Sequence, residues 1–192
     1  MQESKFLKKT DFELIDLALA GSELAFEELV NRYKKAVYYL AFRIVKDHED
    51  AVDLSQEAFF RAYQSLKKFR KNSSFHTWLY RITVNLGINH LRRNRDKAQV
   101  ELEDLHTVMQ TSTLEALEFK ELQEVVNKAI DRLPEKQKVT VILRVCHGFS
   151  HKEISQVLQC SVGTVKANYF HAIRNLRDFM KGYISTKEEI TR

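Results

Sequence analysis

The chain has 192 residues, 44% of them hydrophobic and 30% charged, with a net charge of +5, one proline and five glycines. That composition supports compact helical cores and argues against a β-sandwich, whose many tight turns need more Gly and Pro. The N-terminus has no apolar leader core and no stretch approaches eighteen consecutive apolar residues, so neither a secreted nor a membrane-spanning protein is expected. The length permits one domain or two small ones. Charge is unevenly spread: residues 11–57 are acid-rich, 61–97 strongly basic with Asp96 the lone acid, and 96–124 acid-rich again. Such a mosaic assigns separate partners to separate faces.

Residues 1–10 are polar and read as a frayed end. Residues 11–20 form a short amphipathic helix with Phe12, Ile15, Leu17 and Leu19 on its apolar side. Gly21 ends it, and Ser22 offers an N-cap to a helix over 23–46. There Phe26, Leu29, Val30, Tyr33, Val37, Leu40, Ala41 and Ile44 recur every three or four residues and must face a core. Asp47 caps the next helix, whose Asp53, Gln56 and Glu57 share one acidic-polar face at i, i+3, i+4 spacing, while Val52, Ala58, Phe59 and Tyr63 fall on the buried side. Asn72, Ser73 and Ser74 break the pattern and cap a helix from Phe75 to about Arg93, completing a four-helix unit.

Between those last two helices lies a basic loop. Lys67, Lys68, Arg70 and Lys71 are interleaved with Phe69, and Phe75, Trp78 and Tyr80 follow. Cations that track phosphates beside aromatic faces that take unstacked bases are the chemistry of single-strand nucleic-acid binding. A solvated basic helix face is the plainer reading, and Trp78 at helical spacing also fits a core residue.

Residues 96–113 lose periodicity and read as a linker. Ser112 and Glu115 make a capping box that opens a helix over 114–132. Pro134 sits at the first turn of a further helix to about 147, with Val139, Val141, Ile142 and Val145 as its buried side. Ser150 and Glu153 form another capping box, for a helix ending near Leu158. After a turn at 159–161, Ser161 caps a helix to about Met180, and 183–192 is a polar tail. Ile154, Leu158, Val162, Val165, Tyr169, Ile173 and Leu176 form the apolar side, and Thr164, Lys166, Asn168, His171 and Arg174 point outward. A short helix, a three-residue turn and a longer helix make a helix-turn-helix pattern, although a plain helical hairpin shares it. Cys146 and Cys160 read as buried free thiols; with His147 and His151 they lack the close cysteine pairs of structural zinc modules.

Residues 53–63 (DLSQEAFFRAY), the run Phe75-x-Thr77-Trp78-Leu79-Tyr80-Arg81-Ile82-x-x-Asn85, and the Arg92-Arg93 pair resemble the promoter-melting domain of bacterial extracytoplasmic-function (ECF) sigma factors. Downstream, 133–138 (LPEKQK), 147–154 (HGFSHKEI) and 161–166 (SVGTVK) resemble the domain by which sigma factors read the −35 promoter element. The resemblance implies an all-α chain of two small helical domains joined by a flexible linker: 1–95 for core-polymerase binding, −10 recognition and melting, 96–113 as linker, 114–182 for −35 recognition, and 183–192 as tail.

It further implies that Asp53, Gln56 and Glu57 meet the β′ clamp helices, acidity suiting a basic partner surface. The −10 element would be held by Lys67, Lys68, Arg70, Asn72, Ser73, Ser74, Phe75, Trp78, Arg81, Asn85, Asn89, Arg92 and Arg93. A flipped base would enter the loop, and Arg92, Arg93 and Arg95 would hold phosphates. Ser161, Thr164, Lys166, Ala167, Asn168, His171 and Arg174 would meet −35 duplex. Asn168 and His171 stand where the family has arginines, and Asn prefers adenine whereas Arg reads guanine or phosphate. Asn89 replaces an acidic residue common in the family. No catalytic residue, metal, cofactor or small-molecule substrate is implied. The implied partners are bacterial core RNA polymerase (β′ clamp helices and β flap), promoter DNA and an anti-sigma factor, often a membrane protein. The implied location is cytoplasmic: at the nucleoid when active, or held at the membrane by that factor.

Two other function classes compete. A stand-alone helix-turn-helix regulator would bind duplex tightly without polymerase and would have no need of the face at Asp53–Glu57. A nuclease would need clustered carboxylates beside the basic stretch, where Asp96 stands alone.

Overall fold

In a computed structural model, the backbone is described for residues 6, 8–97 and 114–190, and side chains for 6, 8–94 and 123–181. All regular structure among the described residues is helical, as expected. Helix α1 (Asp11–Leu19) opens with a capping box that the sequence reading did not name. Thr10 Oγ1 accepts from the Glu13 N–H at 3.3 Å, and the Glu13 carboxylate accepts from the Thr10 N–H at 2.7 Å. Helix α2 (Glu23–Val45) follows Gly21, whose φ of +98° only glycine adopts freely. Ser22 holds the N-cap position without a side-chain hydrogen bond. Helix α3 (His48–Ser65) is capped by Asp47, which accepts from the Asp50 N–H at 2.9 Å.

A single 3₁₀ turn (Leu66–Lys68) and the loop 69–74 lead into helix α4 (Phe75–Lys97). Ser74 Oγ accepts there from the Thr77 N–H at 3.1 Å. These four helices bury Leu14, Ile15, Leu29, Val37, Ala58, Phe75 and Leu79 in one core. The close approach of α2 and α4 explains Gly87 inside a helix: a Cβ there would lie 2.8 Å from Ile44 Cγ2. Tyr63, assigned above to the buried side, is instead 50% exposed, its ring edge against Phe26.

The second module comprises α5 (Leu114–Asp131), α6 (Glu135–Val141), α7 (His151–Leu158) and α8 (Val162–Ile190). Residues 98–113, with most of the expected linker and its Ser112 cap, lie outside the described residues. The Ser150–Glu153 capping box is present, and Gln159 at φ +52° makes the turn before Ser161. Helix α8 runs to Ile190, over most of the stretch expected to be a tail. Its first residue, Val162, is 38% exposed rather than on the apolar side.

Helix α6 runs into a π turn over Ile142–Cys146, which the sequence reading treated as plain α-helix. The wider turn slips the inward face by one position. Val145 therefore points to solvent instead of the core, Leu143 is buried, and His147 is brought to the inner side. Cys146 is exposed and Cys160 half-buried, so neither is the fully buried thiol expected.

The two modules do not keep separate cores. Leu40 and Ile44 of α2 and Tyr80 and Val84 of α4 share one buried cluster with Val139, Ile142, Leu143, Phe149, Ile154 and Val157. Polar contacts flank it: Lys46 Nζ lies 3.6 Å from Asp131, and Arg92 Nε lies 3.2 Å from Glu135.

Candidate nucleic-acid interface

The loop after α3 rests on an aromatic floor. Phe69 and Trp78 have ring centroids 5.1 Å apart, Phe75 and Trp78 5.8 Å, and Phe69 and Phe75 6.1 Å. Phe75 is 1% exposed and Trp78 7%, so Phe75 packs in the core and Trp78 offers no more than one edge to solvent. Above this floor Asn72, Ser73 and Arg81 converge. With Lys68 and Arg70 they line a cavity of about 260 Å³, and with Thr77, Gln156 and Gln159 an adjoining one of about 340 Å³; Trp78 borders both. Amides and a hydroxyl match the edge of a base, and guanidinium and ammonium groups match a phosphate.

The predicted residues are not equally free for that work. Ser74 spends its hydroxyl on Thr77, as cap and as a 2.8 Å side-chain contact. Lys67, Lys68 and Arg70 are exposed, whereas Lys71 is drawn to Asp16 at 2.6 Å and lies over the Phe12 ring. Farther along α4, Asn85 and Asn89 are exposed one turn apart, followed by exposed Arg92 and Arg93. Arg81 is half-buried at the cavity wall.

On α3 the expected acidic face is present. Asp53 and Gln56 are exposed, and the Glu57 carboxylate accepts from Arg61 Nε at 2.6 Å. Phe60, one turn on from Gln56, is 56% exposed on that face. On α8, Ser161 Oγ accepts from the Thr164 N–H at 3.0 Å and meets the Thr164 hydroxyl at 2.9 Å, fixing the helix start. Lys166, Ala167, Phe170, His171 and Arg174 then form one solvent-facing stripe, with Asn168 half-buried at its margin. Phe170 is 64% exposed.

The family description "Sigma-70 region 2" matches residues 29–97 and "Sigma-70, region 4" matches 123–176. The chain is 36% identical over 176 residues to the RNA polymerase sigma-H factor of Pseudomonas aeruginosa, covering 86% of this chain and 91% of that protein. It is 38% identical over 173 residues to the ECF RNA polymerase sigma-E factor of Escherichia coli K12, covering 85% and 90%. The chain belongs to the ECF sigma factors. Two solved structures share its fold at 23% identity. One is CnrH in complex with the cytosolic domain of CnrY (TM-score 0.66, 90% of this chain and 97% of that chain). The other is the sigma factor RpoE of Bartonella quintana in complex with the anti-sigma factor NepR (TM-score 0.64, 81% and 96%).

Four residues of this sigma factor's candidate surfaces escaped the sequence reading. Phe60 follows Phe59, and the period that turns Phe59 inward turns Phe60 outward, so this one was legible. Phe170 likewise falls off the stripe of Val165, Tyr169, Ala172 and Leu176. Gln156 and Gln159 reach the cavity from α7 and its turn, across the contact between modules, and no local pattern signals that.

Proposed function

We propose that this ECF sigma factor, which directs core RNA polymerase to promoters, melts the −10 element by capturing a flipped base between its basic loop and α4. The convergence of Asn72, Ser73 and Arg81 over an aromatic floor carries this reading. Unstacking a base costs a few kcal/mol, and hydrogen bonds to its edge together with cations at its phosphate offset that cost. Lys67, Lys68, Arg70, Arg92 and Arg93 hold the strand by charge, and Asn85 and Asn89 face its upstream edge. Asp53, Gln56, Glu57 and Phe60 dock on the β′ clamp helices. The apolar Phe60 adds buried area that a purely acidic face lacks.

Helix α8 enters the −35 major groove with Lys166, Ala167, Asn168, His171 and Arg174. Phe170 on that stripe fits a thymine methyl group, and Asn168 fits adenine. The chain is an initiation factor and not an enzyme. Among the described residues no helix is long and apolar enough to cross a membrane. We place the protein in the cytoplasm, held by an anti-sigma factor; the Bartonella sigma factor named above is in complex with one.

Base capture is tested with 2-aminopurine in the non-template −10 strand and polymerase holoenzyme. Wild-type protein should raise its fluorescence as the base unstacks, and Asn72→Ala should suppress the rise while leaving polymerase binding intact. An unchanged signal in the Asn72→Ala and Ser73→Ala variants refutes capture at this cavity.

A further inference from the structure

The contact between modules is built like a folded core. Tyr80 of α4 is 1% exposed, and its hydroxyl meets His147 Nδ1 at 2.9 Å. The Tyr80 ring lies 5.0 Å from Phe149 of the second module, and His76 packs on both, at 4.2 and 4.9 Å. This seam engages the DNA-binding elements themselves. Gln156 and Gln159 of the second module wall the cavity assigned above to the flipped base. Arg92, assigned to phosphate, is paired with Glu135.

Reach makes the conflict explicit. The −10 and −35 elements are about 25 base pairs apart, or about 85 Å at 3.4 Å per pair. Gln159 stands two residues before Ser161, which caps α8, yet lines the same cavity as Asn72. In this arrangement the start of the −35 helix and the −10 cavity are neighbours, and one molecule cannot touch both elements.

We propose that the free sigma factor closes on itself along the Tyr80–His147–Phe149 seam, that this closed form is unable to engage a promoter, and that acidification opens it. Its inactivity on promoters rests on the −10 reading given above; its closure does not.

The acid response follows from the groups at the seam. His147 faces Tyr80 and His76 of α4 and Arg43 of α2, and its Nε2 is buried without a hydrogen-bond partner. Burial, with His76 and Arg43 nearby, pushes its pKa down from 6.5 to about 4. His76 faces Glu153 of α7 and Asp11 of α1 as well as Tyr33 and Tyr80. Burial pushes it down too, against the opposite pull of those two carboxylates. Both rings are therefore neutral in the docked form at pH 7.5. A group with a depressed docked pKa supports closure above its ordinary value and opposes it as pH falls below that value. From pH 7.5 to 5.5, His147 alone favours opening by about tenfold, and His76 acts in the same direction.

The test uses full-length protein with Cys146→Ser and Cys160→Ser, spin labels at Glu49→Cys and Lys136→Cys, exposed positions close in sequence to the Lys46–Asp131 contact between the modules, and distance distributions measured without polymerase or DNA. A single short distance is expected at pH 7.5, with a longer population growing about tenfold relative to it by pH 5.5. His147→Lys should open the protein at pH 7.5, and His147→Gln should blunt the pH response, with circular dichroism reporting helix content throughout. A broad, long distribution for the wild type at pH 7.5 overturns the closure. A short distance that persists at pH 5.5 and in His147→Lys overturns the latch. Adding core polymerase and promoter separates the two readings. If the short distance survives in a transcribing complex, closure is not inhibitory, whereas absence of transcription from every variant counts against the −10 reading and leaves the closure measured.

Discussion

Trp78 separates two roles that the sequence left open, and Trp78→Ala decides between them. The side chain is 7% exposed and packs at tilted angles against Phe69 and Phe75 beneath the loop. Removing a large buried ring from a packed core costs about 3–5 kcal/mol, of which aromatic pairing supplies about 0.5–1.5 per pair. Small domains have about 5–15 kcal/mol in all, so the first module should be left near its unfolding threshold. Trp78 is the single tryptophan of the chain, so its fluorescence disappears with it, and urea unfolding must be followed by circular dichroism. The expected result is an early transition for the first module, with polymerase binding and promoter opening lost together. Trp78→Phe should recover most of the stability. A loss below about 1 kcal/mol, with promoter opening alone abolished, would refute the core assignment and make Trp78 a DNA contact.

Other outcomes follow from the same structure. Gln56→Lys with Glu57→Lys should weaken polymerase association at least tenfold by fluorescence anisotropy while leaving the melting temperature within a degree or two, because both side chains reach solvent. Lys166→Ala should reduce the salt slope of −35 duplex binding by about one, whereas Phe170→Ala should weaken specific binding and leave that slope unchanged. Ser150→Ala should cost about 1 kcal/mol by removing the cap of α7. Its hydrogen bonds hold the Glu153 carboxyl below its ordinary value of 4.5, so the cap contributes above that pH and is lost as acid protonates the group. Urea titrations at pH 7 and 3.5 should show the variant's deficit shrinking at the lower pH.

Much of the fold was written in local chemistry. Asp47, Ser74, Ser150 and Ser161 cap the helices they precede because a short side-chain oxygen satisfies an orphan N–H there whatever the tertiary context. The acidic face of α3 and the basic loop were likewise legible from spacing and charge. Burial at the modules' contact was not. Leu40, Ile44, Tyr80 and Val84 repeat with the same period as residues facing their own module, so periodicity cannot say which core they join. The π turn at Ile142–Cys146 left no signature either, and it alone exchanges Val145 for His147 on the inward face. An aromatic beside cations suits a strand, and nothing local to Phe75 signals that three rings pack together under the loop and bury it.

The most direct measurement is run-off transcription with bacterial core polymerase on promoters selected from a random DNA library, with and without this protein. Start-site-specific transcripts that appear only when the protein is present, and fall with Asn72→Ala and Lys166→Ala, are the predicted result. Tight duplex binding by the protein alone, with no polymerase association and no new transcripts, would contradict it.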